Sequence, residues 1–289
     1  MKVLITGSSG YVGSELCSRM EASTYIGIDL RSGLYTTVVA DIKELSQAEI
    51  DLSDVNKVIH LAAARNDFGL DAKAYYEHNV KATREFLTWL SGADLDVFVH
   101  VSSVASFDGE IIDFEPTLKE DNAYRSTKFL QEKLIRDWCR SKDILLAVIY
   151  PSAIYDADYR GDTNIGRIIR AVEKFPFIPA IDVKKSLTPL SGLCDFINHA
   201  ASGAVPSGNY LCIEDPVLSV TDILRRQYPF KRVIKIWGFR YILLSMSMIC
   251  EKFGFAAFLN RNRVKKLYKQ TVYAELKIDR TSFSSLIEK

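Results

Sequence analysis

Tyr124 and Lys128 are the residues whose types and spacing point most directly to chemistry. They open a strongly helical stretch that runs to Arg140, and side chains four apart share one helix face. A tyrosine with a pKa near 10 is a poor base at neutral pH. A lysine ammonium nearby stabilises the phenolate and lowers that pKa, so the pair can exchange a proton with a substrate hydroxyl. Tyr-x-x-x-Lys alone recurs by chance in many chains. Here it follows an apolar run, Val97-Phe98-Val99-His100-Val101, that delivers Ser102-Ser103-Val104-Ala105 at its end. The C-terminal ends of strands are where open α/β sheets place ligands.

A third group stands at the N-terminus. Val3-Leu4-Ile5 followed by Thr6-Gly7-Ser8-Ser9-Gly10-Tyr11-Val12-Gly13 reads as a buried strand turning sharply into a helix that starts near Ser9. Gly7 permits the tight turn, Gly10 leaves room for a pyrophosphate, and Gly13 lets helix and strand pack closely. The N–H groups at the helix start, with the helix dipole behind them, favour phosphate. The spacing is G-x-x-G-x-x-G, not the G-x-G-x-x-G of the standard dinucleotide fingerprint. Tyr25-Ile26-Gly27-Ile28-Asp29 reads as the second strand. An acid at its end suits the ribose hydroxyls of NAD and repels the 2′-phosphate of NADP. Arg31, two residues on, partly offsets that preference and keeps NADP open.

These groups need a sheet to hold them. Thr37 to Ala40, Lys57 to Ala64, Asp96 to Ser102 and Asp143 to Tyr150 read as further strands, with helical stretches at Tyr11 to Met20, Tyr75 to Leu90 and after Tyr124. That alternation predicts a parallel α/β sheet. The 289 residues, 48% of them apolar, allow one large domain or two modest ones, and a net charge of +1 gives no nucleic-acid surface. Five scattered cysteines without a C-x-x-C pair read as reduced thiols of a cytoplasmic protein, not a zinc site or disulfide frame. The N-terminal apolar run is too short for a signal peptide. Ile236 to Leu259 is apolar but interrupted by Arg240, Glu251 and Lys252. Its longest clean run, Tyr241 to Cys250, falls well below the roughly 20 residues that span a bilayer. No integral membrane segment is expected. A buried or subunit-facing helix is the plain reading, and the basic run Arg261 to Lys266 keeps a membrane-surface role in view.

Thr6 ahead of the three glycines, the Ser-Ser strand end and the Tyr-Lys pair together resemble the extended short-chain dehydrogenase/reductase family. The likeness is to its NAD-dependent epimerase/dehydratase group, and there to nucleotide-sugar 4-epimerases and 4-reductases of bacterial surface-polysaccharide biosynthesis. The resemblance implies a Rossmann-type doubly wound parallel sheet over residues 1–155. A smaller C-terminal substrate-binding lobe over 156–289 would send some segments back to that sheet, with the active site in the cleft between them. It implies NAD on Gly7, Ser9, Gly10, Tyr11, Val12 and Gly13, with Asp29 and Arg31 at the ribose and Asp41-Ile42 flanking adenine. Leu61, Ala62 and Ala63 would approach the central phosphates, Pro151 would close the shell, and Tyr124 and Lys128 would meet the nicotinamide ribose. The family's catalytic hydroxyl maps onto Ser103. A register shifted by one would put Val104 there, because Phe107-Asp108 replaces the usual Tyr-Gly. Substrate contacts would fall to Arg65, Ser103, Asn164, Lys185 and Ala153, the last where many sugar epimerases carry asparagine. Lys185 stands for an arginine that grips the nucleotide diphosphate, keeping the charge without the bidentate fork. Further departures are Tyr150 for Arg, Asp156 for Gly and Ala157 for Pro. Asn79 matches an asparagine that braces the sheet, and the family commonly forms homodimers.

The implied reaction is withdrawal of hydride from a sugar C4 while Tyr124 takes the hydroxyl proton. A 4-epimerase returns the hydride to the other face, and a 4-keto reductase uses external NADH or NADPH once. A 4,6-dehydratase needs an Asp-Glu pair where Val104 and Ala105 stand. A non-catalytic NAD(H)-sensing member of the fold is the alternative of a different class.

Overall fold

The structure is a computed structural model and describes residues 1–64, 70–107, 111–112, 114, 123–156, 164–253 and 260–275. Its main sheet has seven strands: β1 (Lys2–Thr6), β2 (Tyr25–Asp29), β3 (Val38–Val39), β4 (Val55–His60), β5 (Val97–Val101), β6 (Leu145–Pro151) and β7 (Gly208–Cys212). They lie in the order β7-β6-β5-β4-β1-β2-β3, and every pairing is parallel. Sheets covered on both faces bury both sides of each strand. That is why Val97-Phe98-Val99 and Leu146-Ala147-Val148-Ile149 read as unbroken apolar runs, all buried. The strand order reverses between β1 and β4, the crevice where ligands sit in such sheets. β3 is shorter than the Thr37 to Ala40 run suggested, and α1 (Tyr11–Ser18) starts two residues after Ser9, with Gly10 at its N-cap.

On the sheet's faces lie α1, α2, α3 (Ala123–Ser141) and α5 (Leu190–Ala201), where α2 runs Ala72–Tyr75, passes through a π-helical turn at Tyr76–Lys81 and resumes at Ala82–Trp89. Leu193, Cys194, Ile197 and Ala200 of α5 join Ile5, Ile59, Val99 and Ile149 of the strands in one core cluster. Fully burying a Leu, Ile or Phe side chain contributes about 1.5–3 kcal/mol. Burial also pushes the thiols of Cys17, Cys139 and Cys194 up to about 12, so these cysteines are inert at neutral pH.

The chain forms two compact units. The first comprises Met1–Ile154, Thr188–Ile213 and the segment from Ala274 on; the second comprises Tyr155–Leu187 and Glu214–Tyr273. The second unit is built from α4 (Asn164–Glu173), α6 (Val220–Gln227), α7 (Phe239–Lys252), α8 (Arg261–Tyr268) and the short parallel pair Phe177–Pro179 with Arg232–Ile234. Ile165, Ile169, Ile178, Ile223 and Leu224 are in its core. Ser219 starts α6 through a reciprocal capping box with Asp222. Among the described residues no helix is long and apolar enough to cross a membrane.

Candidate active site

The glycine turn is built by steric necessity. Gly7 has φ +80°, and a Cβ there would lie 3.1 Å from the Ala62 amide nitrogen. A Cβ on Gly13 would lie 2.0 Å from the Gly7 carbonyl oxygen. Leu61, Ala62 and Ala63, leaving β4, run past this turn, with the Leu61 amide donating to the Thr6 carbonyl at 3.1 Å. Gly10 starts α1 without a side-chain cap. Such a helix start, with a glycine floor and no side chain in the way, fits a dinucleotide pyrophosphate. Tyr11 and Val12 are half-buried in the first turn of that helix.

Asp29 closes the far side. One carboxylate oxygen accepts the Ser9 amide at 3.0 Å, and the other accepts the Arg31 amide at 2.9 Å. Each carboxylate oxygen has a second lone pair, so the same group can also receive ribose hydroxyls. The Arg31 guanidinium stands 3.7 Å from Asp29, and its side chain is 72% exposed. Ser9, Arg31, Gly33 and Tyr35 help line an open pocket of about 240 Å³ here. Asp41 accepts the Lys43 amide at 3.1 Å, and Ile42 is buried beside it.

The proton-handling residues are held on α3 and the end of β5. Lys128 is almost wholly buried, and its ammonium donates to the Gln131 Oε1 at 2.7 Å and more distantly, at 3.5 Å, to the Val101 carbonyl. That second bond ties the lysine to the strand that delivers Ser103. Burial lowers the Lys128 pKa to about 8, with the Glu132 carboxylate acting in the opposite sense. Tyr124, one turn earlier, is half-buried and meets the Tyr75 ring edge-on at 5.9 Å between centroids. Ser103 caps the short 3₁₀ turn Val104–Ser106, its Oγ accepting the Ala105 amide at 3.1 Å. That bond uses a lone pair of the hydroxyl and leaves its proton to donate elsewhere. Val104 is buried and offers no polar atom.

Behind this face lie Gln131 and Glu132, which were not singled out from the sequence, whereas His60 reads there as a structural histidine under the turn rather than a catalyst. Gln131 donates from Nε2 to Thr83 Oγ1 at 2.9 Å and lies 3.1 Å from His60 Nε2. His60 Nδ1 in turn lies 2.8 Å from Thr6 Oγ1. The Gln131 amide makes His60 Nε2 the acceptor, so Nδ1 carries the proton and donates to Thr6. Burial holds the His60 pKa down at about 3 and keeps the ring neutral. Glu132, also buried, accepts Ser102 Oγ at 3.1 Å, the Tyr150 hydroxyl at 2.6 Å and Arg136 Nε at 2.9 Å. The available signal was spacing alone: Gln131 and Glu132 follow Lys128 by three and four residues, on the face it shares with Tyr124. Asn79 is fully buried, accepting the Ala64 amide at 2.7 Å and donating to Thr127 Oγ1 at 3.1 Å.

The remaining expected residues are placed as follows. Pro151 is buried at the end of β6, paired in register with Cys212. Ala153 is exposed two residues on. Asn164 is the first residue of α4, its side chain outside the described residues, as is Arg65. Lys185 is buried, and the partners of its ammonium are backbone carbonyls. It donates to the Lys266 carbonyl at 2.9 Å and to the Lys269 carbonyl, so it caps the C-terminal end of α8. The reason is geometric: Lys185 lies in a short strand bridged to Thr271, just past that helix end.

A family model, the NAD dependent epimerase/dehydratase family, matches residues 3–175. The chain is similar to the N-acetyl-alpha-D-glucosaminyl-diphospho-ditrans,octacis-undecaprenol 4-epimerase of Escherichia coli O157:H7, 23% identical over 77% of this chain and 70% of that one. It is also similar to an uncharacterized UDP-glucose epimerase, YtcB, of Bacillus subtilis strain 168, 24% identical over 59% of this chain. The match spans 62% of that relative, less than two thirds of its length. Among solved structures, a UDP-glucuronic acid 4-epimerase from Bacillus cereus in complex with NAD shares the fold. Its TM-score is 0.63 at 20% identity, covering 81% of this chain and 86% of that chain. With more than half of its length matched by that model, this chain belongs to the NAD dependent epimerase/dehydratase family.

Proposed function

We propose that this protein is a nucleotide-sugar epimerase that inverts the C4 centre of a hexose carried on a nucleotide diphosphate. The observation that carries the reading is the buried Lys128 on the Tyr124 face of α3, bonded to the end of the strand that presents Ser103. NAD bound at the glycine turn supplies a hydride acceptor that can give the hydride back. Tyr124 accepts the C4 hydroxyl proton and later returns it. Lys128, charged below about pH 8, favours the phenolate. Ser103 donates to the C4 oxygen, and Asp29 receives ribose hydroxyls. Ala153, exposed after β6, and Asn164 at the start of α4 belong to the substrate side of this reading.

A 4-keto reductase is the second reading, favoured by one observation: the exposed Arg31 guanidinium beside Asp29 suits the 2′-phosphate of NADPH. The purified protein incubated with UDP-glucose, UDP-N-acetylglucosamine and UDP-glucuronic acid in turn, and separately with a UDP-linked 4-keto sugar and NADPH, decides between them. Interconversion of C4 epimers with no net change in NAD supports the epimerase. Stoichiometric consumption of NADPH with a 4-keto sugar, and no epimer formed, replaces it with the reductase.

A further inference from the structure

The second unit carries an exposed apolar surface. Along α7 and its C-cap, Ile242, Met246, Ile249 and Phe253 recur after four, three and four residues, which forms a single stripe on a helix. They are 46%, 47%, 58% and 67% exposed. The other side of the helix is turned inward, with Ser247 fully buried. Just ahead of the helix Trp237 stands 93% exposed. Charge is concentrated in the same region. From Pro229 to Tyr273 there are ten lysines and arginines and one acid, Glu251, in a chain whose net charge is +1. Glu251 is already paired with Arg261 of α8 at 2.9 Å, and the Arg240 guanidinium of α7 lies 5.8 Å from the Tyr268 ring centre of α8.

We propose that α7, with the basic α8 packed against it, docks on the surface of a membrane rich in anionic lipid. The helix would lie in the interface plane with the Ile242–Phe253 stripe among the acyl chains. An amphipathic helix with an aromatic and aliphatic face and lysines around it binds in this way, and an exposed tryptophan at its start suits the headgroup level. Fourteen residues make α7 too short to span. A second copy is a poor occupant of the stripe. Self-pairing would set one strongly basic region against another, whereas anionic headgroups neutralise both. A nucleic acid would satisfy the charge and leave the stripe wet. The inference does not depend on which sugar reaction the first unit performs.

The test is flotation of the full chain with phosphatidylcholine vesicles, with and without phosphatidylglycerol, at physiological ionic strength. The proposal expects flotation with the anionic vesicles only, and a blue shift of tryptophan fluorescence that Trp237→Phe removes. Ile242→Ser with Ile249→Ser should weaken binding about tenfold or more, because each buried methylene is worth about a factor of four. Melting temperature and turnover of a soluble substrate should be kept. Lys265→Gln should weaken binding roughly fivefold. Three results would each overturn it: no flotation; flotation that survives the double serine variant, which is adsorption by charge alone; or a dimer in sedimentation that the same variant converts to monomer.

Discussion

Lys128 is a charge kept where water does not reach, and that sets its pH behaviour. Its pKa in the folded protein is about 8, below the ordinary 10.5, so the ammonium is present below about pH 8 and lost above it. Turnover that depends on the ammonium should therefore fall as pH rises through about 8. Lys128→Met should abolish that alkaline limb and lower the plateau beneath it, read from a pH profile of kcat/KM. Tyr124→Phe removes only a hydroxyl, so the fold and cofactor affinity should persist. The loss of general acid–base catalysis should cost roughly 10²–10⁴ in kcat. A variant that keeps most of its kcat on a confirmed substrate would show that Tyr124 only packs beside Tyr75.

At the scale of elements, the parts that repeat a local rule were the legible ones. β1, β2, β5 and α3 follow from apolar runs and helical spacing, and Gly7 and Gly13 from the turn they serve. Gly13→Ala tests the last point. Its methyl would sit 2.0 Å from the Gly7 carbonyl, so α1 must back away from the turn. A stability loss of about 1–3 kcal/mol is expected, with NAD affinity falling in calorimetric titration. Ser219→Ala, which removes the cap of α6, should cost about 1 kcal/mol with no change in NAD binding. What was not legible depended on backbone partners distant in sequence. Lys185 pairs with the carbonyls of Lys266 and Lys269, and backbone acceptors leave no signature in residue type. The link from Lys128 through Gln131 to His60 also escaped notice, because an amide three residues after a lysine looks like any exposed glutamine.

For the whole molecule, the two histidines buried at the centre of the sheet, His60 on β4 and His100 on β5, stack 5.6 Å apart. Burial drives both pKa values down, His60 to about 3. The unfolded chain, with ordinary values near 6.5, binds more protons between about pH 3 and 6.5, so stability must drop as pH falls through that window. Each histidine contributes up to about 1.4 kcal/mol per pH unit. Denaturation midpoints should fall steadily below about pH 6, and His100→Gln should flatten that slope. The route of the chain through the first unit has another consequence. The sheet lacks its seventh strand, and its core lacks α5, until residues 188–213 have been made. A nascent chain halted at residue 155 would offer Ile5, Ile59, Val99 and Ile149 to chaperones and to other chains. A fragment 1–155 expressed alone should therefore aggregate, while 1–213 restores the missing strand and helix to the first unit's core but leaves Ile165, Ile169 and Ile178 of the second unit without Val220, Ile223 and Leu224. Residue 155 looks like a place to cut, but the cut would pass through the core.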